Sequence, residues 1–228
     1  MDFKLSSEQE LIKKTASDFA REELLPGVID RDQNKIWPTS QVNKMADLGF
    51  MGMMVGESFG GSGLDTISYC IAMEEISKVD ASAGVIMSVN NSLVCYLIQK
   101  FANDKIKKKY LPELAKGEKL GAFSLSEPQS GSDASNMNTH ATIDGDSYII
   151  NGTKNWVTNG INSDYVIVFA ITEKGIGHKG ISCFLIEKSY EGFSVGKPEE
   201  KLGIRSSDTC ELYFDNVQVP KENLIGSE

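Results

Sequence analysis

The amino-acid sequence predicts an α+β protein, with an N-terminal helical domain over residues 1–117 followed by an antiparallel β-barrel or β-sandwich domain over residues 118–228. Apolar residues recur at helical spacing as far as Gly117, and after it short β-rich runs follow one another with no helical segment between them. Helices grouped before strands favour this arrangement over a doubly wound parallel sheet.

The apolar spacing in the first domain predicts five helices. Ser7 and Glu10 form a capping-box pattern at the start of the first helix, which ends at Pro26. The second helix is short and ends at Gly49, and the third begins after Asp65. The last two are predicted over residues 81–101, which are apolar nearly all round and therefore central, and over residues 103–117.

The turn dipeptides Asp144-Gly145, Asn151-Gly152 and Asn159-Gly160 are strong hairpin signals in the second domain. The glycine-rich run at residues 175–180 has the spacing of a dinucleotide-binding loop, but a strand follows where that loop needs a helix. We therefore interpret it as a hairpin loop. The predicted strands are residues 120–125, 140–143, 148–151, 155–158, 165–171, 181–187 and 209–214.

Composition excludes several classes of function. Lys and Arg number 23 against 32 Asp and Glu, and a net charge of -9 is the wrong sign for a nucleic-acid partner. The four cysteines form no CxxC pair and there are two histidines, so we expect no metal site, reduced thiols and a cytoplasmic protein. The apolar stretch at residues 85–98 is too short for a membrane span and predicts a buried helix.

A candidate site begins where a predicted strand runs from Phe123 into a loop rich in serine and glycine that contains Glu127 and Asp133. Such a loop can present N–H groups and hydroxyls to an anion or to the polar edge of a ring, although an ordinary turn has the same composition. Alternation places Trp156 and Thr158 on one face of a later strand. An indole and a hydroxyl there suit a planar, partly polar heterocycle, and the alternative is that Trp156 is a core residue.

Two motifs at these positions resemble the acyl-CoA dehydrogenase family. They are Leu-Ser-Glu-Pro-x-x-Gly-Ser-Asp at residues 125–133 and Tyr-Ile-Ile-Asn-Gly-Thr-Lys-Asn-Trp-Val-Thr-Asn-Gly at residues 148–160. Residues 202–209 and 214–223 are similar to the middle domain of that family. The resemblance extends from about Phe3 to Gly226 and is nearest to short-chain, butyryl-CoA-type members.

The resemblance implies an FAD-dependent oxidoreductase of fatty acid metabolism that desaturates a short-chain acyl-CoA thioester at its α,β bond. It also implies a homo-oligomer, a tetramer in the family, and an electron-transfer flavoprotein as the electron acceptor. Glu127 and Asp133 correspond to loop-shaping positions, and Ser132 is expected to touch the CoA chain as well as the cofactor. Carried over by position, the cofactor-binding residues are Phe123, Leu125, Ser126, Gly131, Ser132, Trp156, Val157 and Thr158.

The family's catalytic glutamate belongs to a C-terminal helical domain that we expect to begin near Ser227-Glu228, so we predict no catalytic residue within residues 1–228. Two functions stay open. The first is a dehydrogenase, as a fragment or as half of a split enzyme; the second is a catalytically silent module that binds flavin, a CoA ester or another protein. In either case we expect the helical half to expose an apolar surface where the further domain would pack.

Overall fold

The computed structural model describes residues 4–227, so the predicted limits at residues 1 and 228, and the resemblance at Phe3, lie outside the described residues. Helices are followed by strands, and the change falls between Ala115 and Gly121. The α-helices are α1 (Ser7–Phe19), α2 (Val28–Asn34), α3 (Thr39–Asp47), α4 (Thr66–Ser77), α5 (Ala81–Ser88), α6 (Tyr96–Phe101) and α7 (Asp104–Ala115).

The first helix is capped one residue earlier than predicted. The amide of Gln9 donates to Ser6 Oγ at 3.2 Å, and the amide of Ser6 donates to Gln9 Oε1 at 3.0 Å, so these residues form the capping box instead of Ser7 and Glu10. A π-helical segment, Ala20–Leu24, extends the helix toward Pro26. The prediction missed α2, because Gly27 precedes it and supplies no capping side chain.

The predicted central helix is a single continuous helix, Ala81–Phe101, in which the π-helical segment Val89–Cys95 joins α5 to α6. It is apolar and long enough to span a membrane, but most of it is buried inside the protein, and this packing accounts for its composition. The side chain of Asn90 connects the central helix to neighbouring segments by hydrogen bonds. The Asn90 amide donates to the carbonyls of Met51 at 2.9 Å and Leu114 at 3.1 Å, and its oxygen accepts from the amide of Gly121 at 2.9 Å.

Eight strands within residues 4–227 form one open, mostly antiparallel sheet, which confirms the predicted fold class. Within residues 4–227 the hydrogen-bonded path runs β6-β7-β3-β2-β4-β5-β8, and β1 pairs with β4 in parallel. A mixed apolar cluster packs α7 and the central helix against β4 and β5. The strands are β1 (Gly121–Ser124), β2 (His140–Asp144), β3 (Ser147–Thr158), β4 (Tyr165–Ile171), β5 (Ile181–Glu187), β6 (Phe193–Pro198), β7 (Thr209–Pro220) and β8 (Leu224–Ile225).

Only the first of the three predicted hairpin turns joins paired neighbouring strands. Asp144-Gly145 connects β2 to β3 as predicted, with Asp144 paired to Ser147. Asn151-Gly152 lies inside β3, where the pairing with β7 shifts in register, so the two strands predicted there are one. Asn159-Gly160 ends β3 and leads to β4, which pairs with β1, β2 and β5.

Gly152 occupies its place in β3 because the strand passes very close to Thr139. A Cβ atom at Gly152, whose φ is 152°, would lie 2.3 Å from Thr139 Oγ1 and 2.7 Å from Thr139 Cα. The glycine therefore permits a bulge and a close approach of two backbone segments. The run at residues 175–180 does lie in the connection between antiparallel β4 and β5, as predicted.

The helical half carries exposed large apolar side chains. They are distributed over α1, α2, α4, the central helix and the connections between them. Among them are Leu11, Leu25, Ile29, Leu48, Ile67 and Phe101.

Candidate functional site

The two sequence motifs meet where β1 ends and β3 bulges. The amide of Asn155 donates to the carbonyl of Ser126 at 2.8 Å. One residue earlier in β3, Lys154 Nζ donates to the carbonyl of Leu125 at 3.1 Å. The segment that leaves β1 is therefore fixed directly against the segment that carries Trp156.

Trp156 is exposed and has an unusual backbone conformation. Its exposed fraction is 61% and its φ is 60°, in the left-handed region that bulky residues rarely adopt. The irregularity arises because the pairing of β3 with β7 shifts between Lys154 and Val157. Trp156 is thus not a core residue, and a strained, exposed aromatic residue is typical of a binding position.

The residues near Trp156 differ in how far they are buried. Val157 is buried in the sheet core opposite Cys210, so any contact from Val157 to a ligand would come from its backbone. Thr158 is half-buried at the end of β3 and pairs with Thr209 of β7. Phe123 is half-buried and packs edge-on against Phe169, with ring centroids 5.3 Å apart.

Gly131 and Ser132 lie on the exposed part of the loop that follows β1. The loop opens with a tight turn in which Glu127 and Ser130 exchange two backbone hydrogen bonds of 2.9 and 3.0 Å. Ser130 Oγ then donates to the carbonyl of Asp133 at 2.8 Å. A Cβ at Gly131 would have nothing within 4 Å, so this part of the loop leaves open space for a ligand.

Glu127 and Lys154 form a buried ion pair beneath this site, with Lys154 Nζ 2.8 Å from Glu127 Oε1. Burial acts to raise the pKa of Glu127, but hydrogen bonds from the Asn138 amide and from Lys154 outweigh it and lower that pKa to about 2. Burial lowers the pKa of the Lys154 ammonium, and Glu127 opposes the change. Glu127 is therefore an ionised structural group, in agreement with its predicted loop-shaping position.

Sequence reasoning missed Lys154 and Asn159, which connect the site to the rest of the protein. Asn159 Nδ2 donates to the carbonyls of Ile86 on the central helix, at 3.3 Å, and Gly121 on β1, at 3.2 Å. A signal for Lys154 was available, because a lysine interrupts the inward-facing positions of an otherwise apolar strand. The polar residues at such positions are good candidates for buried partners.

Asp208 holds the far end of β3 and was also missed. Its carboxylate accepts from the amide of Ile161 at 3.0 Å and from Asn162 Nδ2 at 2.6 Å. Burial raises the pKa of Asp208, and these hydrogen bonds oppose the rise. The turn that follows Thr158 is therefore fixed to the loop that precedes β7.

The chain has four cysteines, of which Cys210 pairs with Val157 across β3 and β7. All four are free thiols, and burial raises the pKa of Cys95 to about 12. Among residues 4–227, His, Cys, Asp and Glu form no group of three or more that could hold a metal ion. The site therefore combines the exposed indole of Trp156 with the hydroxyl of Thr158 two residues later in β3, and these groups suit a flat heterocycle with polar edges.

Two family models match the chain. The model of the acyl-CoA dehydrogenase N-terminal domain matches residues 6–118, and the model of the middle domain matches residues 122–217. A short-chain specific acyl-CoA dehydrogenase of Clostridium acetobutylicum is 46% identical over 228 residues, which are 100% of this chain and 60% of that protein.

Solved structures of acyl-CoA dehydrogenases are also similar to this chain. Butyryl-CoA dehydrogenase from Megasphaera elsdenii matches with a TM-score of 0.96 and 42% identity, over 100% of this chain and 61% of that one. An acyl-CoA dehydrogenase from Bacillus anthracis, solved in complex with FAD, matches with a TM-score of 0.90 and 37% identity, over 98% of this chain and 38% of that one. This chain thus spans about 60% of the length of its short-chain relative.

Proposed function

Because the chain belongs to the acyl-CoA dehydrogenase family, we propose that its two linked motifs bind FAD and that the protein acts in the α,β-desaturation of a short-chain acyl-CoA thioester. The observation that carries the proposal is Trp156, exposed and strained at the bulge where the segment from β1 meets β3. A side chain of this kind adds little to the stability of a fold and offers a large flat face to a ligand.

The residues present fit the cofactor. The indole of Trp156 would lie against the flavin ring, Thr158 and Ser126 would meet its polar edges, and Phe123 and Leu125 would complete the apolar wall. Gly131 and Ser132 would approach the pyrophosphate, where open space above the glycine allows close contact. Ser132 would also touch the CoA chain.

When bound, FAD supplies the acceptor for the hydride that leaves the β carbon. Trp156, Thr158 and Ser126 would hold the ring and present donors to its polar edges, where negative charge would develop. Glu127 is not the base for the α proton, because its carboxylate is paired with Lys154 and its pKa is lowered to about 2. A proton acceptor effective at neutral pH has a pKa near that pH, so the base is expected elsewhere.

The remaining parts of the proposal rest on the family resemblance, except the cytoplasmic location, which rests on the cysteine pattern, and the domain boundary, which rests on the change of residue periodicity. The electron acceptor is an electron-transfer flavoprotein, the protein is a cytoplasmic homo-oligomer, and the boundary between its helical and β domains lies near Gly117. The short acyl chain is supported by the likeness to short-chain specific relatives.

The visible spectrum of the purified chain tests the proposal. After incubation with FAD and gel filtration, we expect a protein-bound flavin band, and anaerobic addition of butyryl-CoA then shows whether the chain reduces it. Bleaching means that residues 1–228 suffice for desaturation. Retained flavin without bleaching supports a binding module whose base lies elsewhere, and loss of flavin on gel filtration contradicts the proposal.

Tryptophan fluorescence gives a second measurement at the site itself. The chain has two tryptophans, and Trp37 packs against the helical core. In a Trp37→Phe variant the emission comes from Trp156 alone, so FAD bound as proposed must quench it. Flavin that binds without quenching this emission would place the cofactor away from Trp156.

A further inference from the structure

The Glu127–Lys154 pair is buried almost completely, with side-chain exposures of 2% and 0%. Moving two charges out of water is costly, and buried pairs of this kind are often no more stabilising than apolar residues of similar size. The contribution of the pair to this protein therefore lies in the geometry that it imposes on the segments around it.

The carboxylate of Glu127 gathers donors from three separate segments. Oε1 accepts from Lys154 Nζ at 2.8 Å and from the Thr139 amide at 3.0 Å. Oε2 accepts from the Asn138 amide at 2.5 Å and from Gln129 Nε2 at 2.7 Å. One carboxylate thus joins both ends of the loop between Glu127 and Asn138, the loop that carries Gly131 and Ser132.

The ammonium of Lys154 extends the same connection to the bulge in β3. Besides Glu127, it donates to the carbonyl of Leu125 at 3.1 Å. The next residue, Asn155, donates its amide to the carbonyl of Ser126 at 2.8 Å, and Trp156 follows directly. Every predicted flavin-contact residue therefore lies within a few residues of Glu127, Lys154 or a residue hydrogen-bonded to them.

We infer that the Glu127–Lys154 pair is a positioning element, which fixes the Ser126 segment, the loop at residues 128–137 and Trp156 relative to one another and thereby sets the affinity for FAD. The affinity part rests on the proposed function. The ordering of the loop is a property of the protein alone and can be measured without any flavin.

Three variants and one control separate positioning from stability. Glu127→Gln and Lys154→Met each break the pair and leave one member buried without its partner, and the double variant removes both charges. Asp80→Asn is the matched control, because the Arg31–Asp80 pair is also buried, with exposures of 9% and 3% and a distance of 3.0 Å, and lies in the helical half. Asparagine can still cap α5 in place of Asp80.

We expect the single variants and the control to lose stability in urea unfolding, and the double variant to recover most of the loss because it leaves no unpaired charge. The effects of these substitutions on FAD affinity should not follow their effects on stability. The dissociation constant should rise about ten- to a hundredfold in the single and double variants, the size of effect seen when groups that orient ligands at metal sites are removed, and should not change in Asp80→Asn. A stable double variant with wild-type affinity for FAD would overturn the inference, as would an equal loss of affinity in the control.

Hydrogen exchange in the flavin-free protein provides the independent test. The amides of Asn138 and Thr139 donate to the two carboxylate oxygens of Glu127, so both should exchange slowly in the wild type. At least one of them should exchange faster in Glu127→Gln, whose side chain keeps a single acceptor oxygen. Equal protection in the wild type and the Glu127→Gln variant would refute the positioning role. If the wild type binds no FAD while these amides behave as expected, the proposed function fails and the ordering role of the pair stands.

Discussion

Lowering the pH should remove a defined part of the stability of this protein through Glu127. The pKa of this carboxyl is lowered from 4.5 to about 2 in the folded protein, because hydrogen bonds from Asn138 and Lys154 outweigh the effect of burial. A carboxyl whose pKa is lower in the folded than in the unfolded state stabilises the fold above its unfolded pKa. This stabilisation is lost as the pH falls from the unfolded value toward the folded one.

The size of the effect follows from the same shift. A difference of about 2.5 pKa units corresponds to about 3 kcal/mol of unfolding free energy at neutral pH. By about pH 3 more than half of it is lost, because the unfolded chain is already protonated there while the folded chain is still mostly ionised. The free energy of unfolding of the wild type should therefore fall by about 2 kcal/mol through this group between about pH 7 and pH 3.

The measurement is urea unfolding of the wild type and Glu127→Gln across this pH range, followed by circular dichroism. All other carboxyls are common to the two proteins, so the difference between their unfolding free energies isolates Glu127. We expect this difference to be largest near neutral pH and to shrink by about 2 kcal/mol by about pH 3. A difference that does not vary with pH would refute the assignment of Glu127 as an ionised, hydrogen-bonded partner of Lys154.

Four substitutions test other parts of the structure. Trp156→Gly should change the unfolding free energy by less than about 1 kcal/mol, because relief of the left-handed conformation offsets the lost contacts. The same variant should retain less flavin than the wild type after gel filtration, and strong destabilisation would contradict the strained geometry. Gly152→Ala should lower the free energy of unfolding by more than about 2 kcal/mol, since the added Cβ meets Thr139. Gly131→Ala should leave the free energy of unfolding within about 0.5 kcal/mol of the wild type in urea unfolding. Equal effects of the two substitutions would contradict the close approach of Thr139 to Gly152. Asn90→Ala should cost about 2–4 kcal/mol in thermal unfolding, because it leaves buried backbone groups without partners, and a neutral result would show that the central helix is held in another way.

The order of helices and strands could be predicted from the sequence because each type has its own local period. β4 and β5 begin and end where the apolar runs do, and the cap at Asp65 is set by a contact three residues away. The turn at Asp144-Gly145 is likewise specified by residues that are neighbours in the sequence. Where neighbours along the chain decide the structure, the pattern of residues is sufficient.

The remainder depends on contacts that are distant in sequence. Asn151-Gly152 has the composition of a turn, but its glycine allows Thr139 to lie close to the backbone of β3. No local pattern distinguishes a glycine in a turn from a glycine at such a close approach. The motif residues at Leu125 and Trp156 could be found by resemblance. Lys154, which connects them, was missed because its role depends on a carboxylate 27 residues earlier in the chain.

The π-helical segment Val89–Cys95 determines how the second half of the central helix is rotated about the helix axis relative to the first half. In this segment the amide of Tyr96 bonds to the carbonyl of Asn91, five residues back instead of four. One additional residue in a turn rotates all that follows by about 100° relative to an unbroken α-helix. Deleting a single residue here would therefore leave a helix of normal appearance whose last turns present the wrong side chains to the sheet, so the spacing across this segment is as much a part of the fold as the identity of its residues.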